Sequence, residues 1–318
     1  MIPIPIGDIV AARRRIAGAA VRTPLVRLAV DDAPAEIWCK LETLQPINSF
    51  KIRGAANAVR GADPALVAKG LVTASAGNMA QGVSWIAREL GVPATIAVPE
   101  HAPQAKLDAI ARLGGSAMKL PYCDWWDCIV HSRVEGVEGL FVHPVSDPAV
   151  MAGNGTIGLE ILEDLPDVDA VVIPYGGGGL TTGIASALRA RRPQTRIYAV
   201  EPETGAALAA AHAAGEPVEI DYRASFVDGS GSRRVLADMW PLVEAVIDDA
   251  LVATSAQTAE AVRTLARRLR VIAEGAGALA TAAALAGDAG GGRVVAVVSG
   301  GNIDFDTLAR ILEGETPT

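Results

Sequence analysis

The stretch AVVIPYGGGGLTTG, residues 170–183, runs from an apolar segment through four consecutive glycines into residues of helical character. A buried strand, a tight turn and a helix in that order form the repeating unit of α/β folds. Four glycines in a row cost chain entropy. The gain that offsets this is a loop whose amides all face a phosphate while the next helix adds its dipole. The competing reading is a close backbone crossing. The turn lacks the Lys-Ser/Thr of a P-loop and the spacing of GxGxxG, so ATP and dinucleotides are weak candidates.

The same unit recurs on both sides. Strands are expected at 36–42, 71–74, 94–98, 116–120, 140–142, 170–173, 196–200 and 293–298. Helices are expected at 9–19, 50–60, 79–90, 103–113, 125–136, 156–163, 180–190, 258–269 and 275–286, with one more at the end. Repeated βα units of this length imply an α/β fold, a mostly parallel sheet with helices on both faces. The chain has 318 residues, half of them hydrophobic, enough for more than one compact unit. No Ser/Gly/Pro linker divides it, so two domains would be interwoven.

Composition narrows the partners. Net charge is −8, and no Lys/Arg cluster is interleaved with aromatics, which argues against nucleic acid. Cys39, Cys123 and Cys128 are odd in number and have no CxxC spacing, which gives neither a zinc site nor a disulfide framework. The opening MIPIPIGD is no signal peptide, and every apolar run falls short of the ~20 residues that span a bilayer. A reduced, soluble, cytoplasmic protein is expected, with no membrane partner.

Ligands of such sheets bind where strands lead into helices. Three of those turns are unusual. The glycine turn is the first. The second, SAGNMAQG at 75–82, puts small residues at a helix N-terminus, where free amides with Ser75 and Asn78 suit a carboxylate; an ordinary N-cap is the equal alternative. The third, SGGN at 299–302, places a serine hydroxyl at a strand end, where it could face a ring nitrogen or simply form a turn.

A fourth stretch, NSFKIRGA at 48–55, sets Lys51 between a buried strand and an Ala-rich helix. A lone lysine is ordinarily a solvated surface residue. Beside a phosphate loop, a carboxylate nest and a strand-end serine, it meets the needs of pyridoxal 5'-phosphate (PLP). The lysine would hold the aldehyde as a Schiff base, the glycines the phosphate and the serine the pyridine nitrogen.

SFKIRGA (49–55), SAGN (75–78), AGNGTIGLE (152–160), GGGGL (176–180), VEP (200–202) and SGGN (299–302) together resemble the threonine/serine dehydratases and serine racemases. These belong to the tryptophan synthase β-like (fold type II) PLP enzymes. The match runs from about residue 9 to the C-terminus in the family's order. The resemblance implies a two-domain α/β fold of mostly parallel sheets flanked by helices, with 70–147 as a small mobile domain and 1–69 with 148–318 as the larger one.

The resemblance also implies roles. Lys51 would carry the cofactor and then act as the base at Cα, with Phe50 packed on the ring and Asn78 on the ring hydroxyl. Gly176, Gly177, Gly178, Gly179 and Leu180 would bind the phosphate, Ser299 the ring nitrogen, and Glu274 would line the site. Ser75, Ala76, Gly77, Asn78 and Met79 would hold the substrate carboxylate, with Trp126 and Ser232 as further substrate contacts. A neutral ring facing a serine is a weaker electron sink than a protonated one. Loss of a β-hydroxyl as the α-proton leaves is then the favoured outcome.

Several positions depart from the family pattern. Ala76 stands where racemases carry a serine acid, which favours dehydration, and Met79 stands where most members have histidine. Ala207 replaces the second carboxylate of the family's cation site, so no metal is expected. Trp125 and Trp126 either pack a helix or wall the pocket for a larger β-hydroxy amino acid. No regulatory domain is expected after Asn302. The expected function is PLP-dependent conversion of L-threonine or L-serine to a 2-oxo acid and ammonia by a homodimer. The alternatives are dehydration of 3-hydroxyaspartate or a phenylserine, serine racemisation and β-replacement. A non-catalytic phosphometabolite binder would leave Lys51 idle.

Overall fold

The computed structural model describes residues 3–318. Its strands, in chain order, are β1 (Leu25–Arg27), β2 (Glu36–Leu41), β3 (Leu71–Ala74), β4 (Ala94–Pro99) and β5 (Ser116–Leu120), then β6 (Leu140–Phe141), β7 (Ala170–Pro174), β8 (Arg196–Pro202), β9 (Asp249–Ala253) and β10 (Arg293–Val298). They form two sheets. One has six strands in the order β1-β2-β10-β7-β8-β9, parallel except for β1 against β2. The other has four parallel strands in the order β5-β4-β3-β6. The fold is α/β with two mostly parallel sheets flanked by helices.

Alternation along β10 explains why the larger sheet must be covered twice. Val294, Ala296 and Val298 join a core with Ile37, Cys39 and Val172 on one face. Val295 and Val297 join Val171, Ile173 and Ile197 on the other. Nearly continuous apolar strands of this kind belong between two helical layers. The smaller sheet is likewise sandwiched, with Leu71, Ile96 and Val98 on one side and Val72, Ala74 and Ala97 on the other.

Element boundaries depart from the expectations where glycine or proline rules compete. Helix Pro148–Asp164 begins eight residues before the expected 156, with Asp147 capping it and proline in its first turn. Its glycines serve close packing, because Cβ atoms at Gly153 and Gly155 would strike the backbones of Arg53 and Gly183. Helix Tyr122–His131 starts and stops earlier than 125–136, ending at Ser132 with φ 50°. The short strands β1 and β9 and helix Ala207–Ala214 were not among the expected elements.

One connection enters the smaller sheet before β3 and one leaves it after β6. The second, residues 142–147, leads straight into helix Pro148–Asp164, which packs on helix Lys51–Gly61. No described helix is long and apolar enough to cross a membrane.

Candidate active site

A cleft of about 330 Å³ lies between the two sheets, lined by the turns that follow β3, β7 and β10 and by the start of helix Lys51–Gly61. Phe50, Lys51, Ser75, Ala76, Gly77, Asn78, Met79, Gly176, Gly177, Gly178, Gly179, Leu180, Glu274 and Ser299 all line it, although they come from five separate stretches of chain. The sheets bring them together because each turn sits at the carboxyl end of its strand.

Lys51 opens its helix and points its amine at the carbonyl of Pro144, Nζ to O 2.8 Å, and 5.1 Å from the centre of the Phe50 ring. Burial lowers its pKa from 10.5 to about 8, with Glu274 pulling the other way. Glu274 is buried, and burial followed by the charge of Asp228 pushes its carboxyl up to about 7. Its Oε1 accepts from Asn78 Nδ2 at 2.8 Å. The site therefore holds an amine and a carboxyl that both titrate near neutrality.

The glycine turn is built to leave its amides free. Among the described residues, the N–H groups of Gly176, Gly177, Gly178 and Gly179 donate to no protein acceptor, and helix Gly179–Arg191 starts there. Side chains are excluded from the turn. A Cβ at Gly177 would lie 2.5 Å from Val145 Cγ2, one at Gly179 would lie 2.6 Å from the Val145 carbonyl, and Gly178 has φ +97°. Such a row of inward amides at a helix N-terminus suits a phosphate.

The turn after β3 forms a second, smaller nest. Gly77 N–H donates to Ser75 Oγ at 3.2 Å, while the amides of Ala76, Asn78 and Met79 stay unpaired among the described residues. Ser299, in the same cleft, carries a hydroxyl with no protein partner among the described residues, and its carbonyl accepts from Phe50 N at 3.0 Å, tying the end of β10 to the start of the Lys51 helix.

Two expected substrate contacts lie elsewhere. Trp126 is 41% exposed and does not line the cleft, whereas Trp125 does. Successive helical residues point about 100° apart, so only one of an adjacent pair can face inward. Ser232 donates its hydroxyl to the Arg234 carbonyl at 3.2 Å and is likewise absent from the lining. Gly231, at φ +83°, turns the chain, and Ser230 occupies the wall instead.

The wall also contains residues that no local pattern announces. Lys106 and Asp228 form an ion pair at the cleft, and Pro144 and Val145 close it from the 142–147 connection. Ala207 opens a helix whose first amides, at Leu208 and Ala209, bond Glu201 Oε2 at 2.8 and 3.0 Å. The described residues contain no group of three or more His, Cys, Asp or Glu able to hold a metal.

Behind the cleft lies a fully buried charge cluster. Arg53 bonds Glu42 and Glu160, Lys40 bonds Glu160 Oε2 at 2.6 Å, and the four side chains are 0–6% exposed. Thr23 and Thr156 complete it. It ties the Lys51 helix to β2 and helix Pro148–Asp164 through buried ion pairs, with Gln45 and the Val21 and Thr23 carbonyls as further partners.

Comparison with known proteins agrees with this geometry. Residues 16–300 match the family model described as pyridoxal-phosphate dependent enzyme. The chain is 36% identical over 314 residues to an L-threonine ammonia-lyase of Thermotoga maritima, covering 97% of this chain and 78% of that one. It is 36% identical to the catabolic L-threonine dehydratase TdcB of Escherichia coli K12, covering 98% and 96%. Among solved structures, maize serine racemase superposes with a TM-score of 0.89 at 32% identity, covering 98% and 97%. The processed threonine deaminase isoform 2 of Solanum lycopersicum gives 0.87 at 32%, covering 96% and 86%.

PLP fits the residues present. The unpaired amides of Gly176 to Gly179 suit its phosphate, the Lys51 amine its aldehyde, and the unpartnered hydroxyl of Ser299 its ring nitrogen. The architecture is that of the tryptophan synthase β-like fold. With the family model covering most of its length and the lysine, glycine cradle and serine gathered in one cleft, the chain belongs to the pyridoxal-phosphate dependent enzymes.

Proposed function

We propose that this enzyme is an ammonia-lyase that removes water from L-threonine or L-serine and releases 2-oxobutanoate or pyruvate with ammonia. The observation that carries this reading is the meeting of the Lys51 amine with the Ser75–Met79 nest in a cleft where position 76 is alanine. The relatives named as threonine ammonia-lyases and dehydratases support it.

Bound PLP supplies the electron sink that makes the substrate's α-proton acidic. The rest falls to the chain. The amides of Ala76, Asn78 and Met79, with the Ser75 hydroxyl, hold the carboxylate and orient Cα. Lys51, with its pKa lowered to about 8, has a usable neutral fraction near neutrality and takes the proton from Cα. Glu274, with its pKa raised to about 7, holds the Asn78 amide and stores a proton beside it. Ser299 offers a hydroxyl where a carboxylate would hold a positive charge, which disfavours a long-lived carbanion. As Lys51 takes the Cα proton the Cβ–O bond breaks, the leaving hydroxyl takes a proton from the Lys51 ammonium and departs as water, and the freed enamine tautomerises to an imine that one water hydrolyses to the 2-oxo acid and ammonia.

Ala76 has no proton to exchange on the opposite face, so elimination is favoured over racemisation. Trp125, on the cleft wall, favours a second reading in which a bulkier β-hydroxy amino acid, such as 3-hydroxyaspartate or a phenylserine, is the better substrate. We also propose that residues 70–147 move as a small domain that closes on substrate and excludes water, and that the enzyme works as a cytoplasmic homodimer.

The test is 2-oxo acid release from L- and D-threonine, L- and D-serine, 3-hydroxyaspartate and phenylserine, with Lys51→Ala alongside. Turnover of L-threonine or L-serine that disappears in the variant supports the proposal. Turnover of only the bulkier substrates supports the second reading, and silence on all of them overturns both.

A further inference from the structure

His143 stands just after β6, 9% exposed, and both of its ring nitrogens are engaged. Nδ1 accepts from two successive backbone amides, Val145 N at 3.1 Å and Ser146 N at 2.8 Å. Nε2 lies 3.2 Å from the Ile129 carbonyl in helix Tyr122–His131. Two N–H groups aimed at Nδ1 require a lone pair there, so the proton belongs on Nε2 and is donated to Ile129. Burial lowers the pKa of the ring, and Lys51 pushes the same way against Asp147, Asp238 and the Ile129 carbonyl.

The loop gathered by this ring touches both ends of the cofactor site. Pro144 presents the carbonyl that accepts from Lys51 Nζ at 2.8 Å. Val145 packs behind Gly177 with its side chain and behind Gly179 with its carbonyl. Asp147, two residues after Val145, caps the helix that packs on the Lys51 helix, accepting from Ala149 N at its Oδ1, 2.7 Å. The same loop is the return connection from the smaller sheet to the larger one.

We propose that neutral His143 is a positioning residue. By drawing the Val145 and Ser146 amides onto Nδ1 while its Nε2–H is anchored on Ile129, it sets the 144–146 loop, and the loop in turn sets the Lys51 amine and the back of the glycine cradle. The proposal deepens the PLP assignment of this cleft and rests on it. It does not depend on which amino acid is the substrate.

Two measurements on the holoenzyme test it. Imidazole 15N NMR near neutral pH should show the His143 proton on Nε2 and none on Nδ1; a proton on Nδ1 overturns the proposal. Retention of PLP on dialysis should fall about tenfold to a hundredfold in His143→Leu, as expected when a supporting contact is lost and a reacting group shifts. It should be recovered in His143→Asn, whose Oδ1 falls near the place of Nδ1. Unchanged retention in His143→Leu, or loss in His143→Asn, overturns it. Should His143→Leu not fold, the tautomer and the asparagine variant decide the matter. Neither readout uses substrate, so the dehydratase proposal fails or stands separately.

Discussion

Asn78 and Glu274 meet across the cleft, Nδ2 to Oε1 2.8 Å, one from the first turn of the helix after β3 and the other just before helix Gly275–Ala286. Asn302 Nδ2 donates to Asn78 Oδ1 at 2.7 Å, which fixes the direction of the amide. The contact joins the two sheets through a carboxyl whose protonation changes near neutrality.

That carboxyl and the Lys51 amine give the cofactor-free protein a stability minimum. The Glu274 pKa rises from 4.5 to about 7 on folding, so its contribution is fully present below pH 4.5 and lost as pH climbs to 7. Buried Glu201, also raised to about 7, acts in the same direction. The Lys51 pKa falls from 10.5 to about 8, so its contribution is present above pH 10.5 and lost as pH drops through 8. Thermal melting of the apo protein should therefore dip between pH 7 and 8. Lys51→Met should remove the alkaline rise; if the rise persists in the variant, the account of Lys51 is wrong.

The glycine cradle is defined by what stands behind it. Gly177→Ala places a methyl 2.5 Å from Val145 Cγ2, and such overpacking typically costs about 1–3 kcal/mol. The strain falls on the loop that also carries Pro144, so PLP affinity measured by fluorescence titration should drop with it. Full affinity in the variant would show that Val145 moves aside freely.

Removing Arg53 strands two carboxylates in the core. Arg53→Met leaves Glu42 and Glu160 with Lys40 as the one remaining cation, and breaking a buried pair in this way costs about 3–5 kcal/mol. Denaturant unfolding measures it directly. A loss below about 1 kcal/mol would mean that the cluster relaxes or admits water.

The two tryptophans should separate cleanly. Trp125→Ala removes the aromatic wall and should lower kcat/KM for a phenylserine relative to L-serine, whereas Trp126→Ala should leave the ratio unchanged and alter stability by no more than about 0.5 kcal/mol. Equal effects of the two would place both side chains on the same role.

The parts legible in the sequence were those with a strong local signature. The apolar runs at β7 and β10, the four glycines and the lysine before an Ala-rich helix each announce themselves within a few residues. The 152–160 stretch misled at its front, because Gly153 and Gly155 read as loop residues until Arg53 and Gly183 are seen lying against them. His143, Pro144 and Val145 carried no signal at all. Their roles exist only once the smaller sheet returns the chain to the Lys51 helix. Ser230 was missed in favour of Ser232 because a left-handed glycine between them decides which serine faces inward.

The strand order sets a schedule for synthesis. β10, among the last strands made, fills the slot between β2 and β7, and Ser299 follows it directly. The four strands of the smaller sheet, by contrast, all emerge within residues 71–141 and pair only with one another. A chain leaving the ribosome can complete that sheet while β2 and β7 still lack their common neighbour. The cofactor pocket cannot assemble piecemeal, because its last wall arrives with β10 and Ser299, and a chain broken off before them has nowhere to keep a reactive aldehyde.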